Sequence, residues 1–155
     1  MVRKLKRVAN SWVVILTAFM AVAIFWAMSV FPRATYWFEA TSMVIPNAPA
    51  GDDVVMIVDR EVRREVFGSW TVTVRREGRD GWSLYCLARG DTDYTPVATL
   101  PDPLTLDWWT EGQCPALSPG TYFLTTTWAF NPSWMPGARR SHPLVSNAFQ
   151  ILEVE

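Results

Sequence analysis

The hydrophobic and polar positions divide the chain into one uninterrupted apolar run near the N-terminus and a longer region of alternating residues after it. Residues 12–31 contain no charged side chain. At about 1.5 Å of rise per residue, a helix of this length spans the roughly 30 Å hydrocarbon layer of a bilayer. The pattern therefore predicts a transmembrane helix over 12–31, preceded by a cytoplasmic cationic tail over 1–11.

The charges on the two sides of this run predict its orientation. Four cations precede it: Arg3, Lys4, Lys6 and Arg7. The other side offers Arg33 and then Glu39. By the positive-inside rule the N-terminus stays in the cytoplasm, and the C-terminal domain lies in the periplasm or outside the cell. We therefore expect a single-pass protein of the bacterial inner (cytoplasmic) membrane.

A cleaved signal peptide is the alternative interpretation of the same segment. Small-x-small triplets occur at 21–23 and 27–29, as at many cleavage sites. The apolar run, however, is longer than the usual hydrophobic region of a signal peptide, and it continues through bulky Ile24, Phe25 and Trp26. The sequence therefore favours an uncleaved anchor.

Beyond the apolar run, apolar and polar residues alternate with a period of two, as in antiparallel strands with one face on a core. We expect strands over 35–45, 54–66, 69–76, 82–88, 104–109, 121–130 and 145–154. Residues 32–53 form a membrane-proximal linker or a first strand, and 54–155 form the exported domain. About seven strands predict an all-β fold, an antiparallel β-sandwich of immunoglobulin or fibronectin type.

Tryptophan is the most distinctive residue of the predicted domain. The inward phase of the strands is predicted to contain Trp70, Trp82, Trp108 and Trp128. Trp109 falls on the polar phase and Trp134 in a loop, and exposed aromatic residues beside arginine are typical of binding hot spots. The candidate binding residues are Trp109, Trp134, Met135, Arg139 and Arg140. In the alternative interpretation, the loop over 131–143 folds back over the end of the sandwich.

A second candidate surface is a basic stripe on two neighbouring strands. Its residues are Arg60, Arg64, Arg75 and Arg79. Such a stripe would face anionic lipid or a cell-wall polymer. Interleaved acidic residues, such as Asp59 and Glu61, favour cross-strand ion pairs instead.

The two cysteines, Cys86 and Cys114, both lie in the predicted exported domain. In an oxidising compartment they are expected to form a disulfide, and the alternative is two buried free thiols. Two cysteines and one histidine are too few for a zinc site. We predict no metal and no cofactor.

The residues that could support catalysis are few. His142 is the one histidine and is predicted to lie in a surface loop without a nucleophile near it. Asp107 and Glu111 flank two tryptophans and could form a glycosidase pair, but the favoured interpretation is that they are solvated acids on an exposed strand. The chain contains no phosphate-binding loop or nucleophile-elbow motif. The sequence therefore favours a protein that is not an enzyme.

The charge balance excludes one class of partner. Four of the 14 basic residues lie in the tail, which leaves ten against 15 acidic residues beyond the apolar run. Such an acidic domain has no electrostatic reason to bind nucleic acid.

The leading prediction is a membrane-anchored, non-enzymatic binding module that contacts the lipid bilayer through residues 12–31 and an unidentified envelope protein through its domain. It would belong to an envelope complex or be a phage-encoded protein that modifies the envelope. A carbohydrate- or peptidoglycan-binding module that uses Trp109 and Trp134 is the main alternative. A glycosidase-like enzyme and a lysis factor acting through the helix are less favoured.

Overall fold

A computed structural model describes the backbone of residues 2–30, 33–131 and 139–154. In the N-terminal helix it describes the side chains of 12–27. The chain divides into two compact units, Met1–Arg33 and Ala34–Glu155. Trp134 and Met135, two of the predicted binding residues, lie outside the described residues.

The first unit consists of helix α1, Val2–Val30. The large apolar side chains over 12–26 are exposed all around the helix, each by 53% to 75%. Within the described part of the chain, however, no helix is long and apolar enough to cross a membrane, so the structure does not support the span predicted over 12–31.

The second unit contains two β-sheets, as predicted for a sandwich. Its elements are β1 (Phe38–Val44), β2 (Ala48–Pro49), β3 (Val55–Val62), β4 (Val66–Gly78), β5 (Gly81–Tyr94), β6 (Leu104–Thr105), helix α2 (Leu106–Trp109), β7 (Gly120–Phe130), β8 (Arg140–Val145) and β9 (Phe149–Leu152). The small sheet has the order β1-β3-β6. The large sheet has the order β2-β9-β7-β4-β5, and β8 pairs with β7 beside β9. The segment 32–53 thus supplies strands β1 and β2.

The core lies between the two sheets and follows the alternation of the strands. In β4 the even-numbered residues from Val66 to Val74 are buried, and in β7 the even-numbered residues from Tyr122 to Phe130 are buried. The two strands pair antiparallel, with Trp70 opposite Trp128, so both indoles enter the core as predicted. The burial of these side chains is the main favourable term in folding of the domain.

One register irregularity changes the predicted inward row of β5. Cys86 pairs with Val74 but Leu84 pairs with Arg75, so Tyr85 is an extra residue on β5. A bulge of this kind shifts the alternation by one position. Cys86 and Ala88 are buried as predicted, whereas Trp82 and Leu84 are exposed. The prediction that Trp82 points inward was therefore wrong.

The strand predicted over 104–109 was also wrong beyond its first two residues. Thr105 caps helix α2, since its Oγ1 accepts a hydrogen bond from the Trp108 amide at 3.3 Å. In a helix, residues three apart share a face, so Leu106 and Trp109 are both buried while Trp108 is exposed. The change of period thus reverses the predicted orientations of Trp108 and Trp109.

The predicted last strand begins earlier than expected and is interrupted. β8 begins at Arg140, inside the predicted loop, and three residues separate it from β9. Both strands pair with β7, one with each half of it.

Candidate functional site

A cavity of about 510 Å³ opens between the two sheets on the side of β5, and we call it the inter-sheet cleft. It exists because β6 is short: it pairs only with Val55 and Met56 of β3. Beyond these residues, the described structure places no strand beside β3 on that edge. The cleft is lined by Arg60, Val62, Trp70, Val72, Thr92, Asp93, Tyr94, Ala98, Thr99, Asp107, Trp108, Trp109, Glu111, Gly112, Thr126 and Trp128.

Five aromatic residues line the cleft. Trp109 packs edge-to-face on Trp128, with 6.1 Å between their ring centroids. Its indole nitrogen donates a hydrogen bond of 2.9 Å to the Thr126 hydroxyl, so Trp109 is held as part of the wall. Trp108 is 50% exposed and its ring centroid lies 6.3 Å from that of Trp109. Trp108, rather than Trp109, therefore presents an accessible ring at the cleft.

Arg60 and Tyr94 are the titratable groups of the inner cleft. Burial lowers the pKa of Arg60, but an arginine begins from so high a value that it remains a cation at neutral pH. Burial also raises the pKa of Tyr94, against the smaller opposing effects of Arg60 and of a hydrogen bond with Trp128. The phenol therefore stays protonated, and Arg60 is the permanent charge inside the cleft.

Three exposed carboxylates lie at the opening, and we call them the acidic rim: Asp93, Asp107 and Glu111. The turn after α2 positions two of them. The Gly112 amide donates to the Asp107 carbonyl at 2.9 Å, and Glu111 has a φ of 52°. Among the described residues, Glu111 is the one non-glycine residue in this left-handed region, which costs free energy for an ordinary side chain. No group of three potential metal ligands occurs in the part of the chain that the structure describes.

The segment that carries Asp107 and Glu111 is tied to β5 by covalent and polar contacts. The predicted disulfide is confirmed: Cys86 of β5 is bonded to Cys114. The Gln113 side chain accepts a hydrogen bond from the Arg89 amide at 3.2 Å and donates one to the Arg89 carbonyl at 3.0 Å. Gln113 thus forms the two backbone hydrogen bonds with Arg89 that a neighbouring strand would form on the free edge of β5. These contacts hold α2 and the following turn over the cleft.

The structure separates the four arginines predicted as a basic stripe. Arg60 points into the cleft, and Arg64 lies over the ring of Tyr36 at 4.2 Å. Arg75 and Arg79 are exposed, on β4 and in the β4–β5 turn respectively. Sequence proximity therefore does not produce one continuous surface from these residues.

Of the other predicted site residues that the structure describes, only Trp109 lines the cleft. Trp109 lines it but is only 7% exposed, so the prediction that it lies on the polar face was wrong. Arg139 donates to the Ser69 hydroxyl at 3.3 Å, and Arg140 begins β8. Neither of the two arginines lines the cleft.

His142 is not the plain surface histidine that the sequence predicted. It lies on β8, and its Nε2 is 2.8 Å from the Ala40 carbonyl and 3.3 Å from the Ala40 amide. The tautomer decides which of these two groups the ring binds. In either case His142 joins the large sheet to β1 of the small sheet.

The principal residue missed by sequence reasoning is Arg60 in its inward position. Met56, Val58, Arg60 and Val62 share the core-facing phase of β3, and Arg60 is the one charged residue among them. A charged residue on the buried phase of a strand was a signal available in the sequence. The prediction of a basic stripe instead assigned Arg60 to an exposed surface together with the arginines near it in the sequence.

Comparison with protein-family models, with curated proteins and with solved structures found no match.

Proposed function

We propose that this chain is a membrane-anchored, non-enzymatic binding module whose ligand occupies the inter-sheet cleft. The observation that carries the proposal is the cleft itself. Its volume of about 510 Å³ lies within the roughly 300–1,000 Å³ typical of small-molecule sites. Its lining has the same character as such sites, since aromatic walls surround a few polar groups.

The positions of the polar groups support binding rather than catalysis. His142, the one histidine of the chain, binds the backbone between the sheets and does not line the cleft. Asp107 and Glu111 do line it, but both are exposed. The general acid of a glycosidase typically lies in an apolar pocket, whereas these two carboxylates are open to solvent.

A sugar ring is a second candidate ligand, and the half-exposed Trp108 is the observation that favours it. Indole faces beside carboxylates suit a sugar, because the ring stacks and its hydroxyl groups donate to the acids. In this form of the proposal, Trp108 replaces Trp109 as the stacking residue.

The membrane anchor is proposed from the sequence of 12–31. This segment extends past the described side chains of 12–27 with four further uncharged residues. Thr17, a polar residue inside it, satisfies its hydroxyl by donating to the Val13 carbonyl at 2.9 Å. The cationic tail and the disulfide support an N-terminus in the cytoplasm and a domain on the oxidising side. An envelope protein remains the proposed partner of the domain.

We further propose that the sandwich is of immunoglobulin or fibronectin type. Taking β8 and β9 as one interrupted last strand, the orders β1-β3-β6 and β9-β7-β4-β5 correspond to A-B-E and G-F-C-C′ of that topology. The disulfide departs from the immunoglobulin pattern, since it joins β5 to the turn before β7.

Two experiments test the proposal. For the cleft, saturation-transfer NMR on the full chain in detergent micelles should detect small ring-containing probes, and Trp108→Ala should weaken their signals at least threefold. Phe67→Ala, which removes an exposed aromatic ring that does not line the cleft, is the matched control. Binding that responds equally to both variants would contradict the assignment. For the anchor, extraction of the chain from membranes by alkaline carbonate would contradict a transmembrane helix.

A further inference from the structure

Arg60 is an unusual residue for its position in the sandwich. Strand β3 alternates between the core and solvent, and Arg60 lies on the core-facing row with Met56 and Val58. It is half-buried and lines the inter-sheet cleft. Charged side chains are rarely buried unless they are paired, because removal from water disfavours the charge.

No carboxylate of the described structure pairs with Arg60. The ion pairs found there belong to Arg63, the first residue after β3, which contacts Glu39 and Glu61. No hydrogen bond from the Arg60 side chain is found among the described residues either. Outside the described side chains, the sequence contains a single acidic residue, Glu155. The guanidinium therefore retains its donors for a group that enters the cleft.

Where the structure describes them, the neighbours of Arg60 supply ring surfaces and no second interior charge. Tyr94 is buried and protonated, and Trp128, which also lines the cleft, is almost fully buried. The indole nitrogen of Trp109 is already bound to Thr126. A ligand in this space thus meets apolar faces on several sides and a planar cationic group at Arg60.

The acidic rim restricts the net charge of that ligand. Three carboxylates at the opening repel a polyanion such as a nucleic acid or an anionic cell-wall polymer. A ligand with one negative group can place it at Arg60 and leave a neutral or cationic part at the rim.

We infer that the inter-sheet cleft binds a small ligand with a single carboxylate, which forms a bidentate ion pair with Arg60 while its ring or hydrocarbon body packs on the indoles. The planar fork of an arginine matches a carboxylate, and pairs of this kind are the stronger class of hydrogen bond. The inference rests on the proposed function, since it names the ligand class of the same cleft. An acidic sugar and an amino acid derivative both satisfy this chemistry.

The test uses two pairs of probes that differ only in the carboxylate. One pair is N-acetylphenylalanine and its amide, and the other is N-acetylmuramic acid and its methyl ester. Affinities are measured by ligand-observed NMR on the full chain in detergent micelles. For at least one pair, we expect the acid to bind about tenfold or more tightly than its neutral derivative, as a charge-assisted hydrogen bond predicts. The pair that shows the preference identifies an amino acid or a sugar as the source.

Substitutions at two arginines of β3 and its following turn separate this inference from the proposed function. Arg60→Met should abolish the preference for the acid while the neutral probe still binds, and Arg60→Lys should retain part of it. Arg63→Met is the matched control, because Arg63 is already ion-paired and does not line the cleft. Equal binding of acid and neutral probes to the unmodified chain would overturn the inference alone. Failure of every probe to bind would overturn the proposed function as well.

Discussion

The two long edges of the sandwich are closed by different kinds of contact between the sheets. At one edge, β1 of the small sheet meets β8 and the segment after it, and polar side chains join the two. The Asn147 side chain accepts from the Ile45 amide and donates to the Ile45 carbonyl, each at 2.8 Å. His142 binds Ala40 in a similar way. The polar side chains that cross this edge thus form hydrogen bonds with the backbone of the opposite sheet.

At the other edge, the short β6 leaves the sheets apart. The closure there consists of α2 and the turn that follows it, tied to β5 by the Cys86–Cys114 disulfide and by Gln113. The interior behind it contains Arg60, a cation that has no carboxylate partner among the described residues. An edge closed by strands thus uses its polar groups in hydrogen bonds within the protein, whereas an edge closed by a loop can keep one available for a ligand.

Removal of the disulfide is expected to have the largest effect on stability. In the Cys86→Ala/Cys114→Ala double variant, the free energy of unfolding should fall by about 3 kcal/mol, because the unfolded chain gains the entropy of an unconstrained loop. Urea unfolding of the full chain in micelles, followed by tryptophan fluorescence, measures this change. Amide exchange should increase most at residues 106–118. If the double substitution increased the exchange rate more at Asn147 than at residues 106–118, the result would contradict the assignment of the disulfide to the open edge.

Substitution of Asn147 tests the closed edge. Asn147→Ala leaves the amide and carbonyl of fully buried Ile45 without their partner, so the free energy of unfolding should fall by about 2 kcal/mol. Asn147→Asp retains an acceptor for the Ile45 amide but has no donor when ionised, and should have an intermediate stability. The same urea experiment applies, with Asn131→Ala at an exposed loop position as the control. Equal stabilities of Asn147→Ala and Asn131→Ala would show that the edge does not depend on this contact.

The sequence predicts the sandwich well because strand alternation reports directly on burial. Trp70 and Trp128 occupy the core as expected, and the cysteines form the expected disulfide. The predicted inward and outward positions are wrong where the local backbone geometry changes. The extra residue Tyr85 shifts the row of Trp82 and Leu84, and the helical turn of α2 exchanges the environments of Trp108 and Trp109.

The site was harder to predict than the fold because it depends on contacts between distant residues. The cleft brings β3, β5, β7 and α2 together, and no local pattern reports which strand lacks a neighbour. Arg60 and Arg64 are close along the chain and share the even phase, but β3 ends at Val62, so strand alternation no longer applies at Arg64. Likewise, Asn147 and Ile45 are 102 residues apart, so their pairing leaves no local signal.

The smallest expected effect distinguishes Arg60 from Arg63 in the absence of ligand. Arg60→Met replaces a half-buried cation, which has no ion-pair partner in the described part of the chain, by an apolar side chain of similar length. The free energy of unfolding should therefore rise by about 1 kcal/mol. Arg63→Met removes the ion pairs with Glu39 and Glu61 and should change stability in the opposite direction. Urea unfolding of both variants beside the unmodified chain measures the two signs. A loss of stability in Arg60→Met would mean that the guanidinium already has a favourable environment inside the cleft, and the contrast between the two arginines would disappear.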